Sequence, residues 1–349
     1  MIIGRTGLGL GAQRVRSEPM TDEFPTLPNG LIYAWRLDGK GGAKQLDWDE
    51  VKVSEGRPDA PIWVHLDLNI EGAIDWIRED AGFDGWIADA LVRPGTRPRV
   101  VPYAGGVLVI VRGVNLNEGA EPEDMISLRM WAEGGWLITL RSRKLRAVVA
   151  MREALQRGDG PTGTASMLSF LLHDLATRAG DVIDDLEEQS ERIETEIDEN
   201  GRGREIADRL ADLRRRMMGL KRYLRPQRDA VVLLASEKLD WMPDDERVRI
   251  REAGDRFTRR VEDLETLREE MQVSQDELTA GFNERLNQRM YVLAIVSAVF
   301  MPLGFVAGVF GMNVAVPFQE NAAGFLFVSA MMLLLAIGVL FWMKRRGWF

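Results

Sequence analysis

The chain has 349 residues, no cysteine, two histidines and a formal net charge of −9. That length holds two domains and a membrane part. The missing cysteine excludes disulfides, thiolate catalysis and Cys-based zinc sites, and the acidic balance argues against a nucleic-acid partner.

Residues 1–19 lack the apolar core of a secretory signal. Gly7-Leu8-Gly9-Leu10-Gly11 superficially resembles a phosphate loop, but it follows no strand and opens no helix. Residues 1–29 read as a disordered leader. Residues 30–165 read as a cytoplasmic α/β domain. Strand candidates lie at 31–35, 61–66, 99–103, 107–115, 125–131 and 136–140. Helical spacing runs over 70–79, with Ile74, Ile77 and Ala81 on one face, and again over 85–92. Gly105-Gly106 and Gly134-Gly135 suit hairpin turns. Strands joined by tight turns predict an α+β domain, a mostly antiparallel sheet with flanking helices. His65 sits in the strand-like run Trp63-Val64-His65-Leu66-Asp67 and reads as structural, as does His173 among helical leucines. A zinc enzyme needs about three protein ligands, and no such spacing is visible. No constellation supports an enzyme.

After Gly158-Asp159-Gly160-Pro161 the pattern turns helical, and 166–243 read as an antiparallel helical pair. Leu168, Leu171, Leu172 and Leu175 begin an apolar stripe that Ile183, Leu186, Ile193 and Ile197 continue. Asp184, Asp185, Glu187, Glu188, Glu191 and Glu194 crowd the opposite face; a solvated face explains them better than a metal site. Leu210, Leu213, Met217 and Leu220 stripe the second helix, which Pro226 should bend. A third helix, 244–310, meets no strong stop and would be about 100 Å long. Its last third is a first transmembrane helix and the rest a stalk. An outer loop at 311–321, a second transmembrane helix at 322–343 and a basic tail at 344–349 complete the chain.

Residues 290–319 and 322–343 carry no charge, and each has roughly the 20 apolar residues that cross a bilayer. Arg285 and Arg289 before them and Lys344, Arg345 and Arg346 after them put both outer ends, and both termini, in the cytoplasm. The loop with Asn313 and its single charge, Glu320, then lies outside. Asn283, Asn287, Met290, Ala294, Ser297, Met301, Gly304, Gly308 and Gly311 recur at three- or four-residue steps and share one helix face. Asp276 lies on that face nearer the cytoplasm and would form an acidic inner mouth. Two helices cannot enclose a pore, so a pathway along this face requires a ring of copies. Uncharged side chains and an Asn313 ring suit a cation that keeps its hydration shell, as Mg²⁺ does. A membrane-anchored scaffold or sensor without conduction is the competing class.

Met301-Pro302-Leu303-Gly304-Phe305 and Gly308-Val309-Phe310-Gly311-Met312-Asn313, followed by a short loop and a final helix ending in basic residues, resemble the CorA divalent-cation transporter superfamily. Asp38-Gly39-Lys40-Gly41-Gly42, Trp63-Val64-His65-Leu66-Asp67, Arg112-Gly113-Val114-Asn115-Leu116-Asn117, Tyr223-Leu224-Arg225-Pro226-Gln227-Arg228-Asp229-Ala230 and Met290-Tyr291-Val292-Leu293 are similar to its ZntB zinc-transporter branch. The resemblance implies a funnel-shaped homopentamer in the bacterial inner membrane. It implies that Gly311, Met312 and Asn313 form the outer selectivity ring, with Met290, Leu293 and Met301 in a narrow apolar stretch and Asn287 below. Ala294 and Gly304 stand where the family's magnesium channels tend to have threonine, and Phe310 where they tend to have tyrosine. The resemblance favours zinc as cargo; magnesium or broad divalent specificity is the alternative. The implied partners are further copies of the chain, the lipid bilayer and the divalent cation, with no bound cofactor.

Overall fold

The computed structural model describes residues 27–200, 203–312 and 322–347. Nearly all of the expected leader lies outside the described residues, as do Asn313 and Glu320. Seven strands form one sheet: β1 (Leu31–Leu37), β2 (Ala43–Leu46), β3 (Ile62–Asp67), β4 (Arg99–Tyr103), β5 (Gly106–Gly113), β6 (Ile126–Glu133) and β7 (Trp136–Arg141). Their spatial order is β2-β1-β3-β7-β6-β5-β4. The sheet is mostly antiparallel, as the turns predicted. The exception is the central pair β3 and β7, which run parallel with Ile62 opposite Trp136 and Leu66 opposite Leu140.

The strands are rich in β-branched and aromatic residues, which fit a pleated, packed surface. In β5 the run from Val107 to Val111 is buried on both faces, so the sheet is covered on both sides there. One cover consists of α1 (Trp48–Val53), α2 (Glu71–Asp75) and α3 (Gly85–Val92). Their Val51, Ala73, Ile87 and Leu91, with Ile77 just after α2, join Val64, Leu66, Leu108, Ile110 and Leu140 in one core. Fully burying each such aliphatic side chain contributes about 1.5–3 kcal/mol. Two elements here were not anticipated, β2 and α1. Asp47 caps α1 by accepting from the Glu50 amide, while the Glu50 carboxylate accepts from the Asp47 amide. After Asp75 the helix widens into a π-turn, Trp76–Asp80. Of the expected face Ile74, Ile77 and Ala81, Ile77 is fully buried and Ala81 packs against the core, while Ala73 and Trp76 are buried in addition and Ile74 is only half-buried.

The other cover begins with α4 (Arg146–Arg157), also unanticipated, and α5 (Thr164–Asn200). A methyl group at Gly113 would strike the side chains of Leu145 and Leu175, so the bare glycine lets this layer sit close on β5. His65 is fully buried and structural, as expected. Its Nδ1 lies 2.8 Å from Thr139 Oγ1, which also accepts from Trp63 Nε1 at 2.8 Å. Burial, with the charge of Arg141 adding to it, holds the imidazole pKa well below its usual value.

Three further helices follow: α6 (Gly203–Ser236), α7 (Asp244–Phe310) and α8 (Ala322–Arg345). Pro226 lies inside α6, which continues beyond it to Ser236. The 67 residues of α7 form one unbroken helix. The chain divides into two compact units, one holding residues 27–195 and 208–272, the other residues 196–207 and 273–347 among those described. Within the first unit polar contacts tie the helices together. Ser169 donates to Glu246 at 2.5 Å, Arg260 pairs with Asp184 at 2.6 Å and Lys221 with Glu265 at 3.2 Å. The acidic face of α5 is therefore partly engaged. Its Glu187 has a raised pKa, from burial and from Asp263 and Asp184 nearby.

Candidate functional site

The second unit contains two helices long and apolar enough to cross a membrane, the end of α7 and α8. The most apolar window of α7 has 0% of its residues buried within the chain, and that of α8 has 6%. A core helix of a water-soluble protein would be mostly buried, so burial argues for lipid or other protein as the surroundings.

Each helix nevertheless carries one half-buried stripe. On α7 it is Tyr291, Ile295, Ala298, Pro302, Val306 and Phe310; on α8 it is Val328, Met331, Met332, Leu335 and Val339, with Met343 fully buried. These positions repeat at three or four residues, the signature of one helix face. The sequence-predicted stripe lies elsewhere on α7. Asn283, Asn287, Met290, Ala294, Ser297, Met301, Gly304, Gly308 and Gly311 are all exposed, and so is Asp276. At about 100° per residue, that stripe is centred roughly 140° around the helix from the half-buried one. Leu293 is exposed as well, on the flank of the stripe. The single chain thus leaves this face open along its whole length.

The chemistry of the face is neutral and mostly small. Ser297 Oγ donates to the Leu293 carbonyl at 2.8 Å, so its hydrogen is committed to its own helix. A Cβ added at Gly304 or Gly308 would meet nothing within 4 Å. Inside one chain, therefore, no packing requires glycine at either position. Met290 and Met301 present thioethers, which are soft donors, and are 60% and 74% exposed. At the end of α7 the Gly311 amide donates to Ala307 and the Met312 amide to Val309, the latter at 3.4 Å. Met312 is exposed. Among the described residues no group of three or more His, Asp or Glu is placed to hold a metal ion.

A seven-stranded sheet unit, a 67-residue helix ending in a membrane-length apolar stretch and a second apolar helix give the architecture of the CorA type, with two candidate membrane spans. The chain belongs to that family: the family described as CorA-like Mg2+ transporter protein matches residues 58–345. The divalent cation transporter CmaX of Pseudomonas aeruginosa is 38% identical over 298 residues, 85% of this chain and 90% of that protein. The zinc transport protein ZntB of Pectobacterium carotovorum is 33% identical over 323 residues, 92% of this chain and 96% of that protein. The structure of full-length CmaX superposes with a TM-score of 0.80 at 36% identity, covering 91% of this chain and 98% of that one. The resemblance read from the Gly-Met-Asn triplet and its flanks is thus correct, and ZntB proteins are among the relatives.

Proposed function

We propose that the chain transports divalent cations across a bacterial inner membrane, zinc in preference to magnesium, along the axis of a homopentamer. The observation that carries this reading is the open face of α7. The stripe from Asn283 to Gly311 is exposed in one chain, and two of its glycines lie in open space. Small residues at a membrane-helix surface let neighbouring helices approach closely. In a ring the same face borders the axis, so packing and pore lining coincide.

On this reading Gly311, Met312 and Asn313 form the outer mouth, where carboxamide and carbonyl oxygens meet the hydrated ion. Met290, Leu293 and Met301 form a narrow apolar stretch that opposes a charged ion by dewetting. Ser297 lies within that stretch, Gly304 just outward of it, Asn287 and Asn283 below it and Asp276 at the inner mouth. Glu320 adds an acid to the outer loop. Both termini are cytoplasmic by the distribution of Arg285, Arg289, Lys344, Arg345 and Arg346. The absence of imidazole, thiolate and carboxylate from the stripe suits conduction, because an ion held tightly would not leave.

The ZntB relatives support zinc. A relative named only as a divalent cation transporter, at 38% identity, supports broader specificity as the second reading. Flux into liposomes holding the purified protein tests both, comparing Zn²⁺ with Mg²⁺, with and without a pH gradient. Faster zinc flux is expected. Equal fluxes would favour the broad reading, and no flux of either ion would return the chain to the scaffold class.

A further inference from the structure

Two of the motifs singled out in the sequence, 112–117 and 223–230, take no part in the ion pathway, yet they meet in the first unit. Gln227 of α6 is fully buried. Its Oε1 accepts from the Arg112 backbone amide at 2.6 Å, and its Nε2 donates to the Arg112 carbonyl at 3.0 Å. This pair of bonds clamps α6 to β5. One turn earlier on α6, the Tyr223 ring lies 4.0 Å beneath the Arg112 guanidinium. Gly219, one turn before that, has no Cβ to strike the side chain of Glu123, so the Glu123 loop lies close against the helix. The clamp and the loop frame a cavity of about 560 Å³ bounded by α6, β5, β6 and the segments at 92–95 and 142–143.

The cavity wall holds four guanidiniums, Arg112, Arg129, Arg143 and Arg222, against two carboxylates, Glu123 and Asp124. Glu123 is already paired with Arg216 at 3.6 Å. Among the described residues none of the four arginines forms an ion pair. Arg129 is 6% exposed. Its Nη1 donates to the carbonyls of Leu91 at 2.9 Å and Val92 at 3.3 Å, while its Nε is buried with no partner. Arg112 donates to the carbonyls of Met125 and Thr96, and its Nε is likewise buried without a partner. Ser127 Oγ, on the same wall, is a third such atom. Burial, with the neighbouring Arg112 charge, pushes the Arg129 pKa down to about 10.

Arg129 is a buried cation without a counter-charge, which is strongly unfavourable, and the half-buried Arg112 beside it adds to that. In a chain whose net charge is −9, such a concentration of unpaired guanidiniums is not a general property of the surface. Guanidinium is the side-chain group that best matches an oxyanion, by parallel N–H···O bonds. We propose that this cavity is a binding site for an oxyanion of the phosphate class, with Arg143 and Arg222 at its exposed rim and Arg112 and Arg129 behind them. The lining charge calls for a dianion, and the volume leaves room for a substituent on the phosphate. Because α6 forms one wall and the sheet the others, the bound oxyanion bridges the two.

The test uses the full chain in detergent. Its Tm is followed as inorganic phosphate, and separately the monoester AMP, is added at an ionic strength held constant with sodium chloride. A saturable rise in Tm is expected with at least one of them. Binding should weaken about ten-fold or more in the double variant Arg143→Ala, Arg222→Ala, whose exposed side chains tolerate truncation. A stronger response to AMP assigns the spare volume to a substituent, and equal responses assign the site to phosphate alone. A Tm that tracks ionic strength with no dependence on either phosphate overturns the proposal. So does undiminished binding in the double variant, or a folded Arg129→Gln protein that still responds like the wild type.

Discussion

In the sheet, Trp63, Leu66, Leu108, Ile110, Leu128 and Leu140 are completely or almost completely buried, whereas in the terminal helices Met301, Phe305 and Phe325 are each about three-quarters exposed (74%, 74% and 77%). Both sets are large apolar side chains; the surroundings they are built for differ. The sheet unit meets its own needs, since helices cover both faces of its central strands and His65 and Trp63 share the buried Thr139 hydroxyl. The helical unit does not. Within one chain it covers a single stripe on each helix and leaves every other face to lipid or to further copies. On the proposed reading, assembly and function belong to this incomplete region, and the uncovered stripe of α7 is the part of it with a chemistry other than simple greasiness.

That contrast can be broken at its functional end first. Asn313→Ala should remove most cation uptake, a loss of about ten-fold or more if its carboxamide is part of the selectivity ring. The assembled mass should stay unchanged. Wild-type flux in a correctly assembled variant would reduce the Gly-Met-Asn triplet to a structural stop. The second test concerns Leu293, which is 61% exposed in one chain. If it helps to dewet the narrow stretch, Leu293→Ser should raise basal flux without lowering thermal stability. If it faces lipid or another helix, stability should fall and flux should not rise. Both quantities are read on one preparation.

The next prediction sharpens the contrast in packing. Leu66→Ala, at a fully buried site, should cost about 2–5 kcal/mol in denaturant unfolding. Leu333→Ala, at a site 63% exposed within the chain, should change stability in detergent by no more than about 0.5 kcal/mol. A reversed order would mean that α8 is packed far more tightly than one chain shows, and the comparison between the two units would fail. The last test concerns His65. Its folded pKa lies below the ordinary value because burial disfavours the imidazolium. Above pH about 6.5 it is neutral in both folded and unfolded chains and adds no pH dependence. As pH falls below that, the unfolded chain takes up a proton that the native state refuses, so stability drops until the lowered native pKa is reached. The slope is at most about 1.4 kcal/mol per pH unit. His65→Gln should flatten it, and an unchanged slope would assign the acid sensitivity to other groups.

Much of this architecture was legible in the residues because its signals are local. Glycine pairs mark two hairpins, and six of the seven strands announce themselves by apolar runs. The two charge-free segments and the turn at Gly311 identify the family. What escaped notice did so for identifiable reasons. The strand β2 is four residues long with two exposed in its middle, too short for alternation to register. The Asp47–Glu50 capping pair was present in the sequence as a start signal for α1 and went unread. So did the spacing of Ala147, Val148, Met151, Ala154 and Leu155 in α4, which ends at Gly158 in a left-handed conformation. The parallel pairing of β3 with β7 joins segments about seventy residues apart, and no local pattern reports it. The π-turn at Trp76 leaves Trp76 and Ile77 both buried, which a 3.6-residue period does not foresee. The cluster around Arg112, Arg129 and Tyr223 was hidden for the same non-local reason: Arg112 and Tyr223, 111 residues apart in the sequence, share one cavity wall.

The claim at the centre of this account is that the open face of α7 borders a pathway shared by several copies. The mass of the intact complex in detergent addresses it most directly. Five chains of 39.3 kDa each, together with bound detergent, are the predicted result. A stable monomer or dimer would contradict it, because neither can close a ring around the stripe from Asn287 to Gly311.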